Sequence, residues 1–356
     1  MTPFFSILVP SYNRPEYISE SLDSILANDF GDFEIIISDD HSPKIGEIEK
    51  VLEPYLKNKK ISFHRQPQNL REPGNKNFLV NQARGKFNII LGDDDKLYPY
   101  SLTKIKECIE KNPGYGLYAL GYTVVDEKGN CYYSRHAPES LPISMADTGL
   151  IKKVFMSHVF PFWLYHPSTF CCRNGLERMI PYSAQAGIGE DTLFLFDLIN
   201  SGEKIFVIPQ SLFMWRKAQD RSPKGQINQS LGDFDNVRAR KNILYHLLSR
   251  SDLNPLIAQI TSSYEFREKF LYSTIIVEKG LSKDKILGLK LDQVHWDEYA
   301  KFSQKSNVIT ARLGPYVKRS IAFINLFGFK GLAGIVQVAC QRGFYRLNEK
   351  NTVKHG

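Results

Sequence analysis

Three aspartates stand side by side at Asp93-Asp94-Asp95, directly after the apolar run Phe87-Asn88-Ile89-Ile90-Leu91 and a single Gly92. Adjacent like charges repel and have no place inside a sheet, so the run reads as a buried strand that releases its acids at the carboxyl end. Open α/β sheets bind ligands at that end. Oxygen donors so close together become favourable when a hard divalent cation sits among them, which points to Mg2+ or Mn2+. The competing explanation is a solvated acidic turn. Two further acid pairs, Asp39-Asp40 after residues 33–38 and Glu190-Asp191 ahead of residues 192–198, mark other element ends. For Glu190-Asp191 the helix dipole alone would explain acids at a helix start.

The elements that must position these groups follow from hydrophobic patterning. Residues 4–9 form an apolar strand stopped by Pro10, and Ser11-Tyr12-Asn13-Arg14 leads to Pro15 at the favoured first position of a helix. Tyr17, Ile18, Leu22, Ile25 and Leu26 give that helix one core-facing stripe. Residues 33–38 and 61–65 read as strands, Pro73-Gly74 as a break, and residues 75–84 as a helix leading to the strand at Phe87. Strand and helix alternating in this way imply a parallel sheet. Residues 117–125 read as a further strand followed by a hairpin-type turn at 126–130.

Length and composition fit a globular protein: 356 residues, 42% hydrophobic and 12% aromatic. The net charge of +8 is concentrated in the tail, where residues 301–356 carry ten Lys or Arg against Glu349 alone and leave residues 1–300 at −1. A nearly neutral body does not suit a nucleic-acid binder. Cys108, Cys131, Cys171, Cys172 and Cys340 are odd in number and lack ligand spacing, so neither a disulfide framework nor a zinc site is expected, and a reducing cytoplasm is. The start Met1-Thr2-Pro3 shows no secretory pattern. No Gly-x-Gly-x-x-Gly or Walker lysine motif is present, so phosphate charge would have to be met by a metal and by Arg or Lys.

Four motifs in order, residues 6–14, residues 33–40, Gly92-Asp93-Asp94-Asp95 and Gly189-Glu190-Asp191, resemble those of family 2 glycosyltransferases over roughly residues 4–220. The resemblance implies a GT-A, Rossmann-like α/β sheet, a nucleotide-sugar donor, a divalent metal and inversion at the anomeric carbon. It would place Pro10, Tyr12 and Arg14 in the nucleotide pocket, with Tyr12 stacked on the base and Asp40 accepting from uracil, hence a UDP-sugar. Asp94 and Asp95 match positions that hold ribose and metal, Asp95 being the expected bridge to the diphosphate and Asp93 an assisting or loop-positioning residue. Relatives often carry Arg-Asn where this chain has Lys76-Asn77, so a planar fork becomes a point charge that would meet a phosphate or stand solvated.

In the same resemblance a carboxylate at Glu190-Asp191 removes the proton of the acceptor hydroxyl, and the assignment is Asp191 with Glu190 as the alternative. An Arg and a His often follow the next strand in relatives. Residues 214–222 keep Arg216, with Lys217 and Arg221 nearby, and lack the His, so Arg216, Arg221 or Lys217 would clamp the diphosphate and the third metal ligand is open. Residues 160–167 hold four aromatics that would line an acceptor site or a core strand, and His166 reads as structural more readily than as a ligand.

Residues 234–248 and 253–277 read as helices, and from 307 a basic amphipathic pattern sets in that would lie on an anionic membrane rather than cross it. The alternative is a soluble helical subdomain or an oligomer contact. The expected organisation is a catalytic domain over 1–225, a mostly helical accessory region over 226–306 and the basic tail over 307–356. The expected activity is transfer of a sugar to a saccharide or lipid-linked saccharide acceptor in cell-surface polysaccharide synthesis, in the cytoplasm or on the cytoplasmic face of a membrane. Its rivals are a non-catalytic nucleotide-sugar-binding or scaffold protein of the same fold, and a nucleotidyltransferase, which would need a basic glycine-rich loop where Pro10–Arg14 stands.

Overall fold

The computed structural model describes residues 2–135, 140–151, 169–184, 190–216 and 249–263, together with 243, 246 and 247. The chain divides into two compact units, Met1–Arg267 and Glu268–Gly356, and every described residue belongs to the first. The aromatic stretch at 160–167 with His166, the glycines at 187 and 189, Lys217, Arg221, most of the helix expected over 234–248, residues 264–277 of the helix expected over 253–277, and the basic tail lie outside the described residues. The described part of that second stretch holds a helix at Pro255–Ser262.

The first half of the sheet is built as the patterning implies. β1 (Phe5–Ser11), β2 (Phe33–Asp39), β3 (Ile61–Arg65) and β4 (Phe87–Ile90) run parallel in the order β3-β2-β1-β4. β1 and β2 are buried almost throughout, which is why they read as continuous apolar runs and not as alternations. Helix α1 (Pro15–Leu26) starts on Pro15 and turns Ile18, Leu22 and Ile25, all fully buried, into the core. Burial of each such side chain contributes about 1.5–3 kcal/mol. Helices α2 (Ile45–Leu52), α3 (Arg71–Gln82) and α4 (Ser101–Lys111) complete this half.

The helix α3 begins four residues before the expected start, because Pro73-Gly74 lies within its first turn and does not break it. Proline is tolerated there, where the first N–H groups have no intrahelical acceptor. Gly74 is required by packing, since a Cβ on it would stand 2.9 Å from the Leu70 Cβ.

Beyond β4 the sheet becomes mixed. β5 (Lys96–Leu97), β6 (Leu117–Val125), β7 (Cys131–Arg135), β8 (Leu141–Ile143), β9 (Phe170–Arg173) and β10 (Ile205–Arg216) extend it in the order β4-β9-β6-β10-β5, with β7 on β6 and β8 on β10. The short β9 is antiparallel to both β4 and β6, and β10 is parallel to β6. The helix Glu190–Asn200 follows β9 in the chain, and the backbone closes it by Gly202 N–H donating to Ile199 O at 3.0 Å, with Gly202 at φ +83°. Cys171 and Cys172 on β9 are buried, and Cys108, Cys131, Cys171 and Cys172 form no disulfide among the described residues.

Candidate active site

The carboxyl ends of β1, β2 and β4 meet in a set of loops that are held to one another by side chains. Asp39 accepts from Ser42 N–H at 2.9 Å and from the Ser42 hydroxyl, and Ser42 Oγ in turn accepts from Asn13 N–H at 2.8 Å, which ties the end of β2 to the end of β1. Asn13, His41 and Arg71 sit at φ 59°, 62° and 60°. A left-handed backbone at a non-glycine residue costs on the order of 1–3 kcal/mol and collects where surrounding contacts enforce a functional shape. Asp40 Oδ1 accepts from Leu70 N–H at 2.6 Å, so this acid anchors the entry to α3. Burial raises its pKa against the opposing backbone N–H groups of Leu70 and Arg71.

The turn Gly92–Asp95 closes with Asp95 N–H donating to Gly92 O at 3.0 Å, and α1 supports it through Ser21 Oγ on Gly92 O at 3.3 Å. Asp93 is fully buried: its Oδ2 accepts from Tyr12 N–H at 3.2 Å and its Oδ1 lies 3.4 Å from Arg14 Nε. Burial pushes its carboxyl up to about 7, with Asp94 adding to the shift and Arg14 opposing it. Arg14 also pairs with Asp94 Oδ2, and both side chains are open to water, at 46% and 23% exposure. Pro10 is half-buried at the end of β1, and the Tyr12 ring is 44% exposed beside these groups.

Arg216 supports the turn from β10. Its N–H donates to Asp95 Oδ1 at 3.0 Å, its Nε to Asp94 O at 2.9 Å, its Nη1 to Glu127 O and its Nη2 to Glu20 Oε2 at 2.6 Å, and its guanidinium stands 4.8 Å from the Tyr17 ring centre. The expected diphosphate clamp is therefore placed as a buried strut of the aspartate turn, with every guanidinium nitrogen engaged. Glu20 and Tyr17 belong to this support: the helical stripe expected Tyr17 in the core, and it is half-buried against Arg216 instead, while no pattern in the sequence marks Glu20.

Two carboxylate oxygens converge over Gly92: a Cβ built there would stand 2.8 Å from Asp95 Oδ2 and 3.1 Å from Asp94 Oδ1. The other oxygens of these two residues are those facing Arg216 N and Arg14. Hard oxygen donors in this arrangement fit Mg2+ or Mn2+, which hold to one or two carboxylates and complete their shells with substrate phosphates and water. No group of three His, Cys, Asp or Glu that could hold a metal ion exists among the described residues.

The second acid group forms around α3. Lys76 is 1% exposed, and its Nζ lies 2.9 Å from Glu72 Oε1, 2.9 Å from Glu190 Oε1 and 3.0 Å from Asp191 Oδ1. Its three donors are matched by three carboxylates, so the residue expected at a phosphate is placed with the proposed base. Burial acts to lower the Lys76 pKa, but Asp191, Glu72 and Glu190 together outweigh it and hold the ammonium charged. For the acids, one ammonium cannot balance three carboxylates: burial and the neighbouring acids raise Glu190, and push Asp191 up to about 7, against the pull of Lys76. The two candidates differ in access. The Asp191 side chain is 17% exposed and Glu190 is 2% exposed, so Asp191 is the more accessible of the two. Glu72, four residues before Lys76 on one helix face, carried a readable i,i+4 signal.

Comparison with known proteins bears on the family and the fold. The family model described as "Glycosyl transferase family 2" matches residues 6–172. An uncharacterised glycosyltransferase of Methanocaldococcus jannaschii is 29% identical over 216 residues, 60% of this chain and 71% of that protein. The GalNAc(5)-diNAcBac-PP-undecaprenol beta-1,3-glucosyltransferase of Campylobacter jejuni is 32% identical over 130 residues, covering 36% of this chain and 40% of the relative. The chain thus spans well under half the length of the second relative. Among solved structures, Staphylococcus aureus TarS 1–349 in complex with UDP superposes with TM-score 0.54 at 18% identity, covering 83% of this chain and 77% of that one. The mannosyltransferase PcManGT of Pyrobaculum calidifontis, in complex with GDP-Man and Mn2+, superposes with TM-score 0.54 at 13% identity over 92% and 88% of the two chains. At such identities the likeness is one of fold, and the fold is the GT-A arrangement.

Proposed function

We propose that the chain, whose residues 6–172 match the family model described as "Glycosyl transferase family 2", is an inverting, metal-dependent glycosyltransferase that moves a sugar from a UDP-sugar to a saccharide or lipid-linked saccharide acceptor. The observation that carries this reading is the separation of two acid groups joined by one helix: Asp40 anchors the entry to α3 and Lys76, six residues on from Leu70, holds Asp191. Six residues of helix rise about 9 Å, which sets the spacing along α3 between the backbone points that hold Asp40 and Asp191.

In this reading the exposed Tyr12 ring offers a stacking face for the nucleobase, and Asp40 accepts from uracil beside its bond to Leu70. Arg14 is poised to transfer from Asp94 to a phosphate. An exposed ion pair of this kind contributes about 0–1 kcal/mol, so an incoming diphosphate displaces it at little cost. Asp94 faces the ribose, and Asp93, buried and bonded to Tyr12 N–H, keeps the loop in register. A divalent cation held by Asp95 with Asp94 would stabilise the negative charge that builds on the departing diphosphate. Asp191 takes the proton of the acceptor hydroxyl as its oxygen attacks the anomeric carbon from the face opposite the leaving group, which inverts that centre.

The Campylobacter relative's name specifies a lipid-linked acceptor, and for this chain such an acceptor is a proposal, as are a role in cell-surface polysaccharide synthesis and a place in the cytoplasm or at the cytoplasmic membrane face. No helix among the described residues is long and apolar enough to cross a membrane. Attachment would fall to the basic tail, where each Lys or Arg near an anionic surface contributes about 1 kcal/mol. Deleting residues 307–356 is expected to reduce sedimentation with anionic liposomes, and equal sedimentation would remove the tail from this account. The donor is tested by calorimetric titration of UDP, GDP and CDP with and without Mn2+. Metal-dependent binding of UDP is expected, and a folded protein that binds none of them would point to the non-catalytic scaffold.

A further inference from the structure

Lys76 joins the two halves of the described unit at a place that the reaction scheme above leaves unexplained. The residue sits in the middle of α3 with its ammonium 1% exposed, and its partners Glu190 and Asp191 lie 114 and 115 residues away in the chain. The next residue makes a second clamp. Asn77 Nδ2 donates to Tyr182 O at 2.8 Å while Tyr182 N–H donates to Asn77 Oδ1 at 3.0 Å. The Tyr182 ring lies 5.4 Å from Lys76 Nζ and stacks on Phe194, on the same helix as Asp191, at 4.8 Å between centres. Its hydroxyl donates to the buried Glu177 at 2.9 Å. Lys76 and Asn77 therefore lock α3 to both the chain ahead of the acids and the acids themselves, so that Asp191 cannot move independently of the donor-side loops.

Glu72 makes the grouping unusual. Its carboxylate reaches Lys76 from a position 58% exposed, while Glu190 is buried with its Oε2 lacking a hydrogen-bond partner among the described residues. Resting on the reading of Asp191 as base, we propose that Lys76 is the positioning residue that aims Asp191 at the acceptor hydroxyl, and that the exposed Glu72 tunes the base through the ammonium they share. The charged and titratable groups facing Asp191 are Lys76 and Glu72 from α3, Glu190 from its own helix and Tyr182 from the preceding segment, with Glu177 behind Tyr182. Removing the one cation leaves Asp191 among acids and moves its proton affinity up. Removing Glu72 takes away a like charge and moves it down.

The experiment is the pH dependence of transfer in the full chain, with calorimetric UDP binding in parallel, for wild type, Lys76→Met, Lys76→Arg and Glu72→Gln. Lys76→Met is expected to move the acid limb of the rate upward by about one pH unit or more, since an opposite charge within hydrogen-bond reach has been withdrawn. Lys76→Arg should restore the limb towards its original position at a reduced rate, and Glu72→Gln should move it down. UDP binding should be retained in all three. An unmoved limb in Lys76→Met with activity lost evenly at every pH, or loss of UDP binding in that variant, overturns the proposal, the latter in favour of a phosphate contact. Where Lys76→Met fails to fold, Glu72→Gln decides, because its exposed site is tolerant of substitution and an unmoved limb there also overturns the tuning. Carboxyl 13C titration of Asp191 in the same variants reads the coupling without reference to turnover. If Asp191→Asn still transfers sugar while the 13C shifts move as stated, the functional reading fails and the coupling stands.

Discussion

The aspartate turn and the Glu190-Asp191 corner are made of the same ingredients, several carboxylates and a basic side chain, and they differ in how far water reaches that basic side chain. At the turn Arg14 is 46% exposed; at the corner Lys76 is 1% exposed. An ion pair in water is worth about 0–1 kcal/mol, so Arg14 can be given up to an incoming ligand. A buried pair that loses one partner costs about 3–5 kcal/mol, because the remaining charges stay desolvated and unmatched. The turn is built to exchange its partner, and the corner to keep it.

The sharpest way to break this comparison is to remove each cation in turn and measure stability. Lys76→Ala is expected to lower the unfolding free energy by about 3–5 kcal/mol and Arg14→Ala by no more than about 1 kcal/mol, read by urea denaturation. Equal losses would mean that the corner is not a closed unit. The next effect is on the donor: Asp95→Asn should weaken Mn2+-dependent UDP binding by about tenfold or more, as expected where a metal-bearing carboxylate oxygen is lost, and calorimetry would detect it. Mn2+-dependent binding left unchanged by that substitution would place the cation elsewhere.

A pH profile sharpens the contrast further. A base acts in its ionised form, so transfer should be full above the raised Asp191 pKa of about 7 and fall away as the pH drops through it. A profile flat down to the ordinary carboxylate range would contradict the environment described for Asp191. The smallest effect is expected for Gly92→Ala, whose Cβ would meet Asp95 Oδ2 at 2.8 Å. Both neighbours are side-chain oxygens that can give way, so donor affinity should drop a few-fold with little change in stability, as measured by calorimetry and thermal melting.

What could be read beforehand divides along the same line. β1, β2 and β4 were legible because fully buried parallel strands leave unbroken apolar runs, and the acids at their ends could not remain inside. The start of α3 was misplaced because Pro73-Gly74 has the composition of a break, and only the packed helix reveals that proline sits where no N–H is needed. The four-residue β9 carries no alternation because both of its faces are covered, so the mixed character of the sheet's second half left no periodic trace.

At the site, acid clusters announce themselves by type, whereas their cations depend on the fold. Arg216 meets Glu20 across 196 residues and Lys76 meets Asp191 across 115, separations that local spacing cannot encode. Both basic residues were therefore expected at phosphates, the nearest chemistry the resemblance offered. The fold gives them to carboxylates because a buried cation must be paired where it stands.

The most direct measurement is a paired one on Asp191→Asn: calorimetric titration with UDP and Mn2+, and the rate of UDP release from the UDP-sugar with acceptor. Donor binding close to that of the unaltered chain, with transfer reduced by about 100-fold or more, is the predicted result. Transfer that persists, or donor binding lost together with transfer, would contradict the division of work between the turn and the corner.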